Sequence, residues 1–198
     1  MTSSADDVIE KLAEIQVGVV TRAQLLEGGV TRETVAARVR AGWFRPVHRG
    51  VYVVGPLMLP RAREMAAVLA CGRKAVLSDL SAAALWTLVA DPDVRARVDV
   101  TIGCGDRGRG PGIRVHRVSS LRPGEVTRLD VIPVTTPART LLDVAGVLRP
   151  REVEQAFARA DREHLIRRPM LLSLLPRYPG RPGTPVLRLC STPMRHRR

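Results

Sequence analysis

Aromatic side chains are scarce in this chain, only 3% of 198 residues, so any core it builds must be aliphatic: Val, Leu, Ala and Ile. Lysine is scarcer still. Lys11 and Lys74 are the only two, and arginine carries almost all the positive charge. The three cysteines, Cys71, Cys104 and Cys190, are far apart, odd in number and form no Cys-x-x-Cys, which argues against a disulfide framework and against a zinc site. No apolar run approaches the roughly 18 residues that a membrane-spanning helix requires. Residues 1–7 are polar and acidic, without the basic-then-apolar order of a secretory signal. The expectation is a cytoplasmic protein that does not engage a membrane.

What is present is apolar content of 45%, enough for a real core in one domain of ordinary size or two small ones. The formal charge is +13, from 32 Lys+Arg against 19 Asp+Glu, with a pI near 11.3. A chain this basic calls for a polyanionic partner. Codon bias in a GC-rich genome explains most of the arginine-to-lysine ratio, but less of the net charge.

Residues 7–15 place Val8, Ile9, Leu12 and Ile15 at helical spacing, and Gly18 closes that helix. Thr21 then reads as an N-cap with Gln24 in the capping-box position, and Leu25 and Leu26 face inward. Gly28-Gly29 stops this second helix, and Val30 is a buried turn residue. Thr31 caps a third helix over 32–41, with Glu33 in its first turn, Val35 and Val39 on its packing face and Gly42 as its C-cap. Two short helices joined by a glycine turn form a helix-turn-helix, whose second helix lies in the major groove. Thr34, Ala37, Arg38 and Ala41 point away from Val35 and Val39, so Arg38 and Thr34 are the expected base contacts. Arg32 and Arg40 suit phosphates. Strands at 43–47 and 51–54, joined through His48-Arg49-Gly50, make a β-hairpin wing that puts Arg45, His48 and Arg49 beside the backbone or minor groove. Over 21–50, Arg22, Arg32, Arg38, Arg40, Arg45 and Arg49 outnumber Glu27 and Glu33, a balance that suits a DNA face. The competing reading is a helical hairpin and ribbon that bind protein.

The stretches Val20-Thr21-Arg22-Ala23-Gln24-Leu25, Gly29-Val30-Thr31-Arg32, Val39-Arg40-Ala41-Gly42-Trp43 and Val47-His48-Arg49-Gly50-Val51-Tyr52 resemble the N-terminal domain of AbiEi-type antitoxins. The His-Arg-Gly-Val-Tyr ending is the most specific piece. These antitoxins are the winged-helix members of type IV toxin–antitoxin systems. The resemblance implies an antitoxin and transcriptional regulator that binds double-stranded DNA at its own promoter as a repressor. It also implies a nucleotidyltransferase-like toxin as partner, and a homodimer or two copies on inverted repeats.

Beyond a linker bracketed by Pro56 and Pro60, helices are expected at 61–71, 81–88, 137–145, 150–162 and 169–175, and strands at 75–77, 98–102, 113–118 and 131–134. The segments Leu77-Ser78-Asp79-Leu80-Ser81 and Thr135-Thr136-Pro137-Ala138-Arg139-Thr140 also look like this family, which often has histidine where this chain has Asp79. Gly103-Cys104-Gly105-Asp106-Arg107-Gly108 matches Gly-x-Gly-x-x-Gly, but Gly110-Pro111-Gly112 leads into a strand where a dinucleotide fold needs a helix, so no cofactor is expected. Arg107 and Arg109 are placed near DNA. Proteins with this front end often carry a Vsr-like nuclease domain. Its motif places Asp or Glu two residues before lysine, and here those positions are Ile9 and Gly72, so Pro92-Asp93 has no partner lysine. His48, His116, His164 and His196 lie in no catalytic or metal-binding spacing, and no catalytic or metal residue is expected.

The expected fold is α+β: a winged helix-turn-helix over 1–56, a mixed α/β antitoxin-like domain with C-terminal helices over 60–175, and a basic disordered tail over 176–198. That tail resembles a truncated linker to the absent nuclease. The alternative to the antitoxin is accordingly a catalytically inactive remnant of such a fusion. In neither case is the chain an enzyme.

Overall fold

A computed structural model describes residues 4–89, 97–104, 108, 110–119 and 121–192. The chain opens with helix α1 (Ala5–Glu14), strand β1 (Val19–Thr21), helices α2 (Arg22–Glu27) and α3 (Arg32–Arg40), and strands β2 (Phe44–His48) and β3 (Val51–Val54). Each helix starts where a side chain satisfies an orphan backbone N–H. Ser4 with Asp7 and Thr21 with Gln24 form reciprocal capping boxes on α1 and α2. On α3, Thr31 Oγ1 accepts from the Thr34 backbone N–H at 3.2 Å. Such caps contribute about 1 kcal/mol each. Helix α3 ends at Ala41, and Gly42 adopts φ +77°, the left-handed bend that turns the chain into β2.

Strand β1 is absent from the sequence reading, because three residues are too few to show alternation. It exists through pairing: Val19, Val20 and Thr21 lie opposite Val53, Tyr52 and Val51. The result is an antiparallel sheet in the order β1-β3-β2, with a bulge between Pro46 and His48. One sheet face closes a core in which Val20, Phe44 and Tyr52 meet Ile9, Leu25, Val30 and Val35. The Phe44 and Tyr52 rings stack there at 5.7 Å. The other face presents Val19, Val51 and Val53, and these are buried with Ala62, Met65 and Ala66 of helix α4 (Ala62–Cys71).

Below α4 lies a five-stranded mixed sheet of β4 (Val76–Leu77), β5 (Val98–Gly103), β6 (Ile113–Val118), β7 (Val126–Leu129) and β8 (Ile132–Thr135), in the order β6-β5-β4-β8-β7. Strand β7, also missing from the sequence reading, is again a partner-made edge, paired antiparallel with β8. Helices α5 (Asp79–Leu85), α6 (Pro137–Val144), α7 (Pro150–Arg162), α8 (Arg168–Leu174) and α9 (Thr184–Ser191) gather around Leu141, Leu142, Phe157, Leu171 and Leu187. The fold is α+β.

Helix α9 corrects the expectation of a loose tail over 176–198. Leu187 is completely buried, and Tyr178 and Arg181 close a polar cluster inside the helical layer. Arg139, only 1% exposed, donates through Nη1 to Glu125 at 2.7 Å and through Nε to both Asp143 oxygens at 3.0 Å. The Tyr178 hydroxyl donates to Glu125 at 2.7 Å, and Arg181 pairs with Asp143. Burial pushes the Asp143 carboxyl up, and the two arginines pull against it. Removing one member of such a closed cluster costs about 3–5 kcal/mol, because a buried charge is left alone. The prolines at 179, 182 and 185 hid this segment's helical period in the sequence. Residues 193–198, with His196, lie outside the described residues, as do Pro92, Asp93, Arg107 and Arg109.

Candidate nucleic-acid interface

Helix α3 and the β2–β3 turn face each other across a groove of about 520 Å³. With 3.6 residues per turn, Arg32, Ala36 and Arg40 fall along one line of α3, and all three are exposed. Arg49 and Gly50 form the opposite lip, and Val39, Pro46 and Tyr52 line the floor. Arg22, at the start of α2, closes one end. Its backbone N–H donates to the Gly50 carbonyl at 2.8 Å, and its Nε donates to the Tyr52 hydroxyl at 3.2 Å. Among the described residues, no carboxylate pairs with Arg22, Arg32, Arg40 or Arg49. A small side chain between two arginines, with a third and a fourth across the groove, leaves a cationic slot that a phosphate backbone fits. Glu33 is the acidic exception on the exposed side of α3. Its carboxyl is held below the usual range by its own backbone N–H and by Thr31, as expected of an acid in the first helical turn.

The sequence-predicted residues divide into two groups. Arg32, Arg40, His48 and Arg49 come together at the groove. Arg38, Thr34 and Arg45 do not. Arg38 turns toward α1, where it pairs with Asp6 and sits 5.6 Å over the Trp43 ring. Thr34 turns back onto the Thr31 hydroxyl at 3.1 Å. Arg45 lies opposite Val53, so it shares the sheet face that looks toward α4. On α3 alone Arg38 falls on the free side of the helix, and it is the packing of α1 across it that takes it out of the groove. Arg22 and Ala36 were missed as groove residues, although Ala36 stands one helical turn after Arg32.

His48 sits deeper than its place at the β2–β3 turn suggests. Its Nδ1 is buried without a hydrogen-bond partner among the described residues, a Cβ on Gly110 would stand 3.0 Å from it, and burial lowers its pKa. It joins the groove floor to the loop before β6.

A second polar cluster lies on the five-stranded sheet. His116 Nε2 on β6 is 2.8 Å from Asp99 Oδ1 on β5 and 3.7 Å from Asp79 at the start of α5. Arg114 Nη1 approaches the same Asp99 oxygen at 3.5 Å, and the Ser81 hydroxyl accepts from the Asp99 backbone N–H at 2.9 Å. Asp79 was visible in the sequence, but its histidine and second carboxylate are brought in by sheet register. Among the described residues no group of three His, Cys, Asp or Glu side chains could hold a metal ion. No helix among them is long and apolar enough to cross a membrane.

Helices with a basic groove at the N-terminus, packed on a mixed α/β body, define the class: a small α+β protein with a cationic face at one end. Residues 7–55 match the model of a family described as "Transcriptional regulator, AbiEi antitoxin", so the first unit is similar to that of AbiEi antitoxins. Among solved structures, the chain is similar in fold to the RV2827C protein from Mycobacterium tuberculosis. The TM-score is 0.52 at 20% identity, over 94% of this chain and 76% of that one. No curated protein matches the chain significantly.

Proposed function

We propose that the chain is a DNA-binding transcriptional regulator, and no enzyme, whose first unit works as a winged helix-turn-helix and seats a duplex in the groove between α3 and the β2–β3 turn. The observation that carries this reading is the set of four arginines around that groove, none with a carboxylate partner among the described residues. Arg32 and Arg40 lie on the exposed line of α3, where a helix in the major groove meets base edges and flanking phosphates. Arg22 and Arg49 hold phosphates from the two ends, and His48 fixes the floor between them. Thr34, Arg38 and Arg45 stand beside the contact and support α3 and the wing.

The finer reading goes beyond the family description. The chain acts as an antitoxin of a type IV pair and represses its own promoter, as a homodimer or as two copies on inverted repeats. A nucleotidyltransferase-like toxin is its protein partner, and the cytoplasm is its compartment. The exposed apolar side chains of Trp43 and Leu59, which line a common hollow apart from the groove, support a protein contact separate from it.

The test is fluorescence anisotropy with duplex from the chain's own promoter against random duplex, across a salt series. Arg40→Ala is expected to narrow the difference between the two duplexes. Arg49→Ala should weaken both and reduce the slope of log K against log salt by about 1. Equal affinity for both duplexes at every salt, or none for either, would overturn the proposal.

A further inference from the structure

The basic groove does not stop at the wing. Arg22, Arg49 and Gly50 also line a second depression, which runs past the start of α2 to Arg73, in the turn after α4. Arg73 in turn lines a third, of about 740 Å³, at one end of the five-stranded sheet. That hollow is lined by Lys74, Arg122 and Arg128 together with Ser119 and Thr127, and among the described residues no carboxylate lines it. Lys74, Arg122 and Arg128 are exposed, and none of the three is in an ion pair among the described residues. Arg73 pairs with Glu27 at 2.8 Å, the one acid among the described residues that line the path, and this exposed pair is open to exchange for a phosphate.

We propose that duplex DNA bound in the α3 groove continues along this track, and that Lys74, Arg122 and Arg128 hold the backbone of a flanking segment. The inference rests on the function proposed above and extends it. Three features favour a duplex over a small anion. The charges are strung along shared groove walls, they are cations and hydroxyls of the kind that contact phosphate and sugar, and they stand on the body the first unit is packed against. A duplex carries one charge per about 1.7 Å of axis, so a track of this kind neutralises phosphates without reading bases. The body therefore lengthens the footprint and raises affinity, and leaves sequence choice to α3.

Two promoter duplexes with a common centre separate these roles: one of about 12 base pairs, a single helical turn, and one of about 30. In the full-length protein, Lys74→Gln/Arg122→Gln is expected to leave the short duplex's affinity unchanged. On the long duplex it should weaken binding about tenfold and reduce the salt slope by about 2. Arg40→Ala/Arg49→Ala should weaken both lengths. Equal effects of the Lys74/Arg122 change on both lengths, or no effect on either, would overturn the track while leaving the groove intact. Pyrophosphate that stabilises the wild type but not the variant, with DNA affinity unchanged, would make the hollow a small-anion site and also overturn it. A wild type that binds neither duplex would refute the parent proposal. Matching circular dichroism of each variant and the wild type confirms that the fold is retained.

Discussion

His116 concentrates the residue-scale chemistry of the α/β body. Its pKa is raised, first by the hydrogen bond to Asp99, then by the charges of Asp79, Asp99 and Asp143, against the opposing effect of burial. Arg114 Nη1 lies 3.5 Å from the same Asp99 oxygen. A histidine whose pKa is raised by folding gives stability that is complete below its unfolded value of about 6.5 and is lost as pH climbs through the higher folded value. The urea midpoint should therefore fall as pH rises above about 6.5, and His116→Gln should remove that part of the decline. A variant with the wild-type pH profile would show that the contact contributes nothing. His48 does not interfere, because its lowered pKa places its effect in the acid window below the unfolded value.

At the scale of the element, α3 is the sensitive part. It has nine residues, and Val35 is its one fully buried side chain. A helix this short has little stability of its own, so its ends matter. Thr31 supplies the cap that starts α3 immediately before Arg32, and so fixes where the exposed arginine line begins. Thr31→Ala should cost about 1 kcal/mol in urea unfolding, and Thr31→Asp should keep most of that stability because a carboxylate also accepts the Thr34 N–H. An unchanged midpoint in Thr31→Ala would place the start of the helix under tertiary control. The same element shows what a helical wheel can decide. It identified Val35 and Val39 as the packing side, because buried branched residues at i and i+4 leave a plain signature. It could not decide which exposed arginine is free, because that depends on Asp6 and Trp43, which lie outside the helix.

At the scale of the whole molecule, the sheet of the first unit is a shared wall. One face belongs to the core of α1, α2 and α3, and the other, with Val19, Val51 and Val53, is buried with α4. The two ends of the chain should therefore unfold together. Met65, 3% exposed, lies at this junction, and Met65→Ala should cost about 2–5 kcal/mol. Trp43 reports on the first unit and Trp86 on the body. In single-tryptophan variants, Met65→Ala should shift both fluorescence midpoints alike. A shift confined to Trp86 would mean that the halves melt separately.

The chain's local chemistry wrote much of this in advance. Threonine caps, a glycine bend after α3, the alternating valines of β3 and the scarcity of acids over 21–50 each act within a few residues, so they were legible without coordinates. Pairing and proximity were not. β1 and β7 are strands only because a partner strand lies beside them, and α9 is secured by Leu187 and by a charge cluster reaching back to Arg139. Arg38 is paired because α1 folds across it, whereas Arg22 comes to stand at the groove beside Arg49 through its bonds to Gly50 and Tyr52. These outcomes join residues far apart in the chain, and burial together with charge pairing settles them only once the layers have closed.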